Sequence, residues 1–170
     1  MTSNSNRFSK LTIQILSFLP TLFLLFVIFG FSAQTGEVSG SLSFQISLFL
    51  VQLFSPFLPA ASTNEILMAR AEAIHFFVRK AAHMTEYFLL TLSLHLPMLT
   101  IFKEKISFKK RLFFGLFAAI LFASADEFHQ TFVAGRSGNI TDVAIDSIGI
   151  LLATIVLALV SFIQKKRVKN

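Results

Sequence analysis

The chain has 170 residues, 54% of them hydrophobic and 14% charged, with a mean hydropathy of +0.72. A soluble domain of this length needs far more polar surface, so the composition is that of a membrane protein. The absence of Cys excludes disulfides, thiolate catalysis and Cys-ligated zinc, and the net charge of +6 needs a cause other than fold.

No charge lies between Lys10 and Glu37, and the run 11–33, "LTIQILSFLPTLFLLFVIFGFSA", is long enough to cross a hydrocarbon core of about 30 Å. Arg7 and Lys10 precede it, as in a signal peptide, but the apolar core exceeds the roughly 7–15 residues of such a leader, so an uncleaved first span is expected. Next comes "LSFQISLFLVQLF" (42–54), apolar but shorter than the roughly 20 residues a crossing needs, and ended by Pro56 and Pro59. Ser43, Gln45 and Ser47 alternate with apolar residues, a pattern a strand would share. An interfacial or re-entrant helix fits best; the rival is a fifth span over about 40–58. "STNE" (62–65) is a capping-box pattern that can start a helix leading into the second span, 79–101.

The third span, 109–130, is tight. Its uncharged part, "LFFGLFAAILFASA", gives only about 21 Å of helix, short of the ~30 Å required. The helix must continue through "DEFHQ" (126–130), while Lys109, Lys110 and Arg111 snorkel at the other end. The fourth span, 141–163, carries Asp142 and Asp146 in its first turns.

Four spans place both termini on one side. That side collects Arg7, Lys10, Lys103, Lys105, Lys109, Lys110, Arg111, Lys165, Lys166, Arg167 and Lys169, against Arg70, Arg79, Lys80 and Arg136 on the other. The positive-inside rule therefore puts both termini in the cytoplasm of a multi-pass cell-membrane protein. This distribution accounts for the net charge. The basic loop and tail are short and lack interleaved stacking aromatics, so nucleic acid is not an expected partner. With no internal repeat, low-complexity tract or linker, residues 1–170 read as one domain. The fold class is an all-α polytopic membrane helical bundle: four transmembrane helices plus an interfacial or re-entrant helix between the first and second.

The charges within the spans are patterned. On a helix Arg79, His83 and Glu86 fall at i, i+4, i+7, with Lys80 and Tyr87 flanking; Asp126 and Gln130 fall at i, i+4 beside Glu127; Asp142, Asp146 and Gly149 at i, i+4, i+7. All three groups sit at the expected outer ends of spans two, three and four. Charges at membrane depth cost roughly 2.5–3.5 kcal/mol each on insertion scales unless paired or facing a wet cavity, so the three stripes are expected to converge. Convergence alone has a plain explanation too, since such groups can be glue between helices. His75, His95 and His129 look less connected to the cluster.

"RKAAHMTEYFLL" together with "DEFHQTFVAGRSGNITDVAIDSIG" resembles the VanZ-like family of small membrane proteins. The family pattern matches at Arg79, Lys80, His83, Glu86 and Tyr87, then Asp126, Glu127, Gln130, Phe132, Arg136, Asp142 and Gly149, while Asp146 stands where the family usually has Asn. The resemblance covers about residues 11–163. It implies a cell-envelope membrane protein of a family named after a factor that gives low-level resistance to the glycopeptide teicoplanin.

Three functions fit these residues. The first is a non-enzymatic protein that binds a lipid-linked cell-wall precursor or the acylated drug at the outer leaflet. Arg79, Lys80 and Arg136 would hold anionic groups there, and Tyr87, Gln130, Asp142 and Asp146 complete the candidate ligand-binding set. The second is an intramembrane enzyme acting on a phospholipid or a cell-wall lipid carrier, its candidate catalytic groups being His83, Glu86, Asp126 and Glu127. In that case His83, Glu86 and Asp126 could also hold a divalent metal such as Mg²⁺ or Mn²⁺, but no G-x-S-x-G appears and "GRSG" (135–138) lacks that spacing. The third is an ion-coupled transporter, which would need oligomers because the inner half of the spans reads as dry.

Overall fold

The computed structural model describes residues 2–57 and 63–169, so Pro59 and Ser62 of the expected helix end and capping box lie outside the described residues. Every described element is a helix. Helices α1 (Thr2–Leu16) and α2 (Leu19–Ser32) form one apolar run with a break at Ser17 and Phe18. The break follows from Pro20, which has no N–H and whose ring crowds the carbonyl one turn back, at Leu16. Pro20 instead occupies the first turn of α2, where the missing donor costs nothing.

Helix α3 (Gly36–Phe54) starts well before the apolar run at 42. Thr35 caps it, accepting from the Val38 N–H at 3.4 Å, and Glu37 sits in the first turn where the helix dipole favours an anion. A single 3₁₀ turn, Ser55–Phe57, follows. Helix α4 (Asn64–Thr100) is capped by Thr63, which accepts from Ile66 N. Helix α5 (Phe108–Gln130) does run through "DEFHQ", and α6 is Ile140–Lys169.

Among the described residues four stretches are long and apolar enough to cross a membrane: Ser9–Ser32, Gly36–Phe57, Phe108–Gln130 and Ile140–Arg167. The expected spans and these stretches differ at two places. The segment 42–54 belongs to a helix of crossing length, because the Thr35 cap extends it at its start. Conversely, 79–101 lies inside α4 and is not among the four apolar stretches. Arg79, Lys80, His83, Glu86 and His95 lower its hydropathy, and α4 tolerates them because these side chains are buried or half-buried against the other helices.

That centre is built from Tyr87 and Leu90 of α4, Ile28 of α2, Ala119 and Ala123 of α5, and Ile150 of α6. Small residues let the helices approach closely. Gly149 is the tightest case, since a Cβ there would collide with the Met84 carbonyl and push α6 off α4. A second cluster joins Val51 of α3 to Leu67 and Ala71 of α4. Thus α3 packs on the N-terminal half of α4, while α2, α5 and α6 pack on its C-terminal half. At 37 residues α4 is about 55 Å long, more than a ~30 Å hydrocarbon core holds.

The end of the bundle away from the acidic cluster is closed by two ties. Gln14 and Ser17 bond the carbonyl and hydroxyl of Thr100 at 3.3 and 3.0 Å. Arg111 does not snorkel. It is 6% exposed, and its Nη1 donates to the carbonyls of Lys103 and Ile106 at 2.7 and 2.8 Å, fastening the α4–α5 loop. His95, 1% exposed, packs nearby against Gly115.

Candidate functional site

Helical spacing puts Arg79, His83 and Glu86 on one stripe of α4, and that stripe faces a cavity of about 210 Å³. Asp126 of α5 and Arg136 of the α5–α6 loop complete its polar wall. The rest of the lining is mainly apolar, from Ile28 and Phe31 of α2 and Leu42 and Ile46 of α3, with Ser32, Ser39 and Ser43 among them. Sequence reasoning did not anticipate α3 as a wall. Its small polar residues Ser39 and Ser43 reach the cavity, and only the Thr35 cap, which starts the helix at Gly36, hints at that position.

The remaining cluster residues hold the cavity in shape. Lys80 Nζ donates to Asp142 Oδ1 at 2.5 Å, tying α4 to α6 in a half-buried ion pair. Glu127, 4% exposed, accepts from the Asn139 N–H at 3.0 Å. Asn139 in turn starts α6, its side-chain oxygen accepting from Thr141 N at 3.0 Å. Gln130 donates to Asp126 Oδ2 and accepts from Arg136 Nη1, both at 3.2 Å. Arg136 also donates through Nε to the Gln34 carbonyl and through Nη2 to the Phe31 carbonyl, each at 2.8 Å. The loop is further pinned where Gly36 N donates to Ala134 O at 3.0 Å, next to Gly135 at φ +71°, a backbone conformation that favours glycine.

These bonds divide the two cavity arginines by role. Arg136 spends its fork on the end of α2 and on Gln130, which makes it a strap across the mouth. Burial, with the Arg79 charge beside it, lowers the Arg136 pKa below its usual value, and Asp126, Glu127 and Glu86 oppose that shift. Arg79, by contrast, lines the cavity with a buried Nε that has no hydrogen-bond partner. His83 Nδ1 likewise has no hydrogen bond, its nearest acid being Glu86 Oε2 at 3.8 Å.

Among the described residues no group of three or more His, Asp or Glu side chains is placed to hold a metal ion. The sequence-level set of His83, Glu86 and Asp126 shares a wall without forming a coordination shell, partly because Gln130 holds the Asp126 carboxylate. Tyr87 and Asp146, each 1% exposed, lie behind the wall in the helix interfaces, and Asp146 Oδ2 is buried with no hydrogen-bond partner. His75 pairs with Glu72 of its own helix at 3.6 Å, away from the cavity, and His129 stacks on Phe29 with centroids 4.8 Å apart.

A family model described as VanZ/LLP1 matches residues 17–161, which includes every residue of this cavity. No curated protein and no solved structure is similar enough to match.

Proposed function

The chain belongs to the VanZ/LLP1 family, and on that premise we propose that its cavity binds an amphiphilic, anion-bearing ligand at the outer face of the cell membrane. The ligand is a lipid-linked cell-wall precursor or an acylated glycopeptide of the teicoplanin type, and its capture lowers susceptibility to the drug. The observation that carries this reading is the two-sided wall: Arg79, His83, Glu86 and Asp126 face Phe31, Leu42 and Ile46 across one space. Such a space takes a polar head on one side and hydrocarbon on the other. Arg79, whose buried Nε has no hydrogen-bond partner among the described residues, gains from an anion. Glu86 and Asp126 accept from hydroxyl or amine donors of the same head. Lys80, Gln130, Arg136, Asp142 and Asp146 support this site as positioning residues.

The Lys and Arg distribution supports an orientation in which the cavity opens outward and both termini are cytoplasmic. The single-domain reading of residues 1–170 agrees with bundle and cavity being built from the same helices.

A catalytic reading is favoured by one observation, the imidazole of His83 beside Glu86 on the cavity wall. That pair would act as a base and its orienting carboxylate on a phospholipid or lipid carrier. Turnover of a phosphoryl lipid by purified protein, lost in His83→Gln, would establish it.

The binding reading is tested in a glycopeptide-sensitive Gram-positive host with membrane levels matched between variants. Wild type is expected to raise the inhibitory concentration of teicoplanin but not of vancomycin, and Glu86→Gln and Asp126→Asn to lose that effect. Equality of all three with the empty vector, in folded protein, rejects it.

A further inference from the structure

Beside the polar cavity lies a second space of about 420 Å³, between α2, α4 and α5. It is walled by Leu25, Phe26, Phe29, Leu90 and Phe122, with Tyr87 and His129 at its polar end. Two residues line both spaces: Ile28 and Asp126. Ile28 is 5% exposed and packs in the core next to Tyr87 and Leu90, so a single aliphatic side chain and a carboxylate form the partition. Phe26, Phe29 and Phe122 are well exposed, which leaves the second space open sideways along the α2–α5 face. Those helices belong to stretches apolar enough to cross a membrane, so the open side faces hydrocarbon.

We propose that this lateral groove holds the hydrocarbon chain of the ligand whose anionic head sits at Arg79, the chain reaching the membrane past Ile28 between α2 and α5. This rests on the binding function proposed above and adds the substrate class: a lipid with an anionic, phosphate-type head and one chain that threads the α2–α5 side. The occupant follows from continuity. The groove begins at the two residues that also wall the polar cavity, and it is apolar everywhere except at that junction. Taken together the two volumes fall in the range of about 300–1,000 Å³ usual for ligand pockets, whereas the polar cavity alone falls below it. Apolar chain burial supplies binding energy in proportion to area, and the unsatisfied Arg79 supplies the anchor. Ile28 then acts as the specificity-determining residue for chain passage.

The test uses the full chain in phosphatidylcholine nanodiscs and, as probe, a long-chain alkyl phosphate carrying a photoreactive diazirine at the end of its chain. Cross-linked sites are mapped by mass spectrometry in wild type, Arg79→Gln and Ala125→Phe. Ala125 lines the groove and is exposed, so a larger side chain there fills the groove without disturbing the core. The proposal expects cross-links on Leu25, Phe29 or Phe122, falling by about tenfold or more in both Arg79→Gln and Ala125→Phe. Inorganic phosphate at the probe's concentration is expected not to displace the probe, because the head alone lacks the chain's contribution. Full displacement by phosphate would mean a free-anion site and would overturn the chain assignment. Cross-links that depend on Arg79 but land on α3 or the N-terminal half of α4 would overturn the groove while leaving the binding function standing. Cross-links indifferent to Arg79→Gln would remove the binding function itself.

Discussion

Arg136 donates a hydrogen bond from Nη1 to Gln130 Oε1 at 3.2 Å, and so couples the α5–α6 loop to the same amide that holds Asp126. With its bonds to the Phe31 and Gln34 carbonyls, this one guanidinium joins α2, α5 and the loop. Replacement by Ala removes three bonds from a charged donor and takes the donor away from the Phe31 and Gln34 carbonyls. A loss of about 2–3 kcal/mol is expected, read as a lower unfolding temperature in detergent. Arg136→Lys should recover little, because an ammonium cannot serve three acceptors spread along a planar fork. Full stability in Arg136→Ala would refute the strap.

The Lys80–Asp142 pair ties α4 to α6 at the same level. Both side chains are more than half buried, so a double-mutant cycle with Lys80→Met and Asp142→Asn should give a coupling of about 1–3 kcal/mol. A coupling near zero, as in exposed pairs, would mean that the pair is incidental to the bundle.

Gly149 brings α6 against the Met84 carbonyl, one residue from His83. Gly149→Ala is expected to cost about 1–3 kcal/mol by overpacking and to widen the spacing behind Tyr87. Gly40→Ala is the matched control, since a Cβ there meets nothing within 4 Å. Equal unfolding temperatures for the two variants would contradict the close approach.

Asp146 is 1% exposed with one carboxylate oxygen lacking a hydrogen-bond partner. A buried acid in that state is a liability to stability. Asp146→Asn, the residue usual in the family pattern, should fold as well as or better than wild type, read as an equal or higher unfolding temperature in detergent. Unfolding of this variant would show that the carboxylate is needed for the fold.

The sequence has no Cys, so single-cysteine labelling can read topology directly. The N-terminal half of α4 runs away from the Thr100 end, past the polar cluster, and α3 packs along it. Ser55→Cys and Ser137→Cys should therefore both react with an impermeant maleimide on intact cells, and Ser107→Cys should not. Protection of Ser55→Cys alone would mean that α3 crosses the membrane.

Much of the site could be read from helical periodicity, because i, i+4 spacing alone sets Arg79 and His83 on one face. Lipid length arguments likewise required α5 to carry Asp126–Gln130 as helix. Other features left no such trace. The acceptors for Arg136 are backbone carbonyls at Phe31 and Gln34, which no side-chain pattern marks. The loop partner of Glu127 is the N–H of Asn139, equally silent. The start of α3 left little trace in hydropathy, because the Thr35 cap begins the helix well before the apolar run at 42. Pro20 did carry a signal, as its ring disfavours an unbroken helix through Leu16.

The most direct test of the account is binding of a long-chain alkyl phosphate to wild type and Arg79→Gln in nanodiscs, with equal unfolding temperatures established first. The account predicts saturable binding to wild type and its loss, by about tenfold or more, in Arg79→Gln. Undiminished binding to a folded Arg79→Gln protein would contradict the claim that this cavity exists to hold an anionic lipid head.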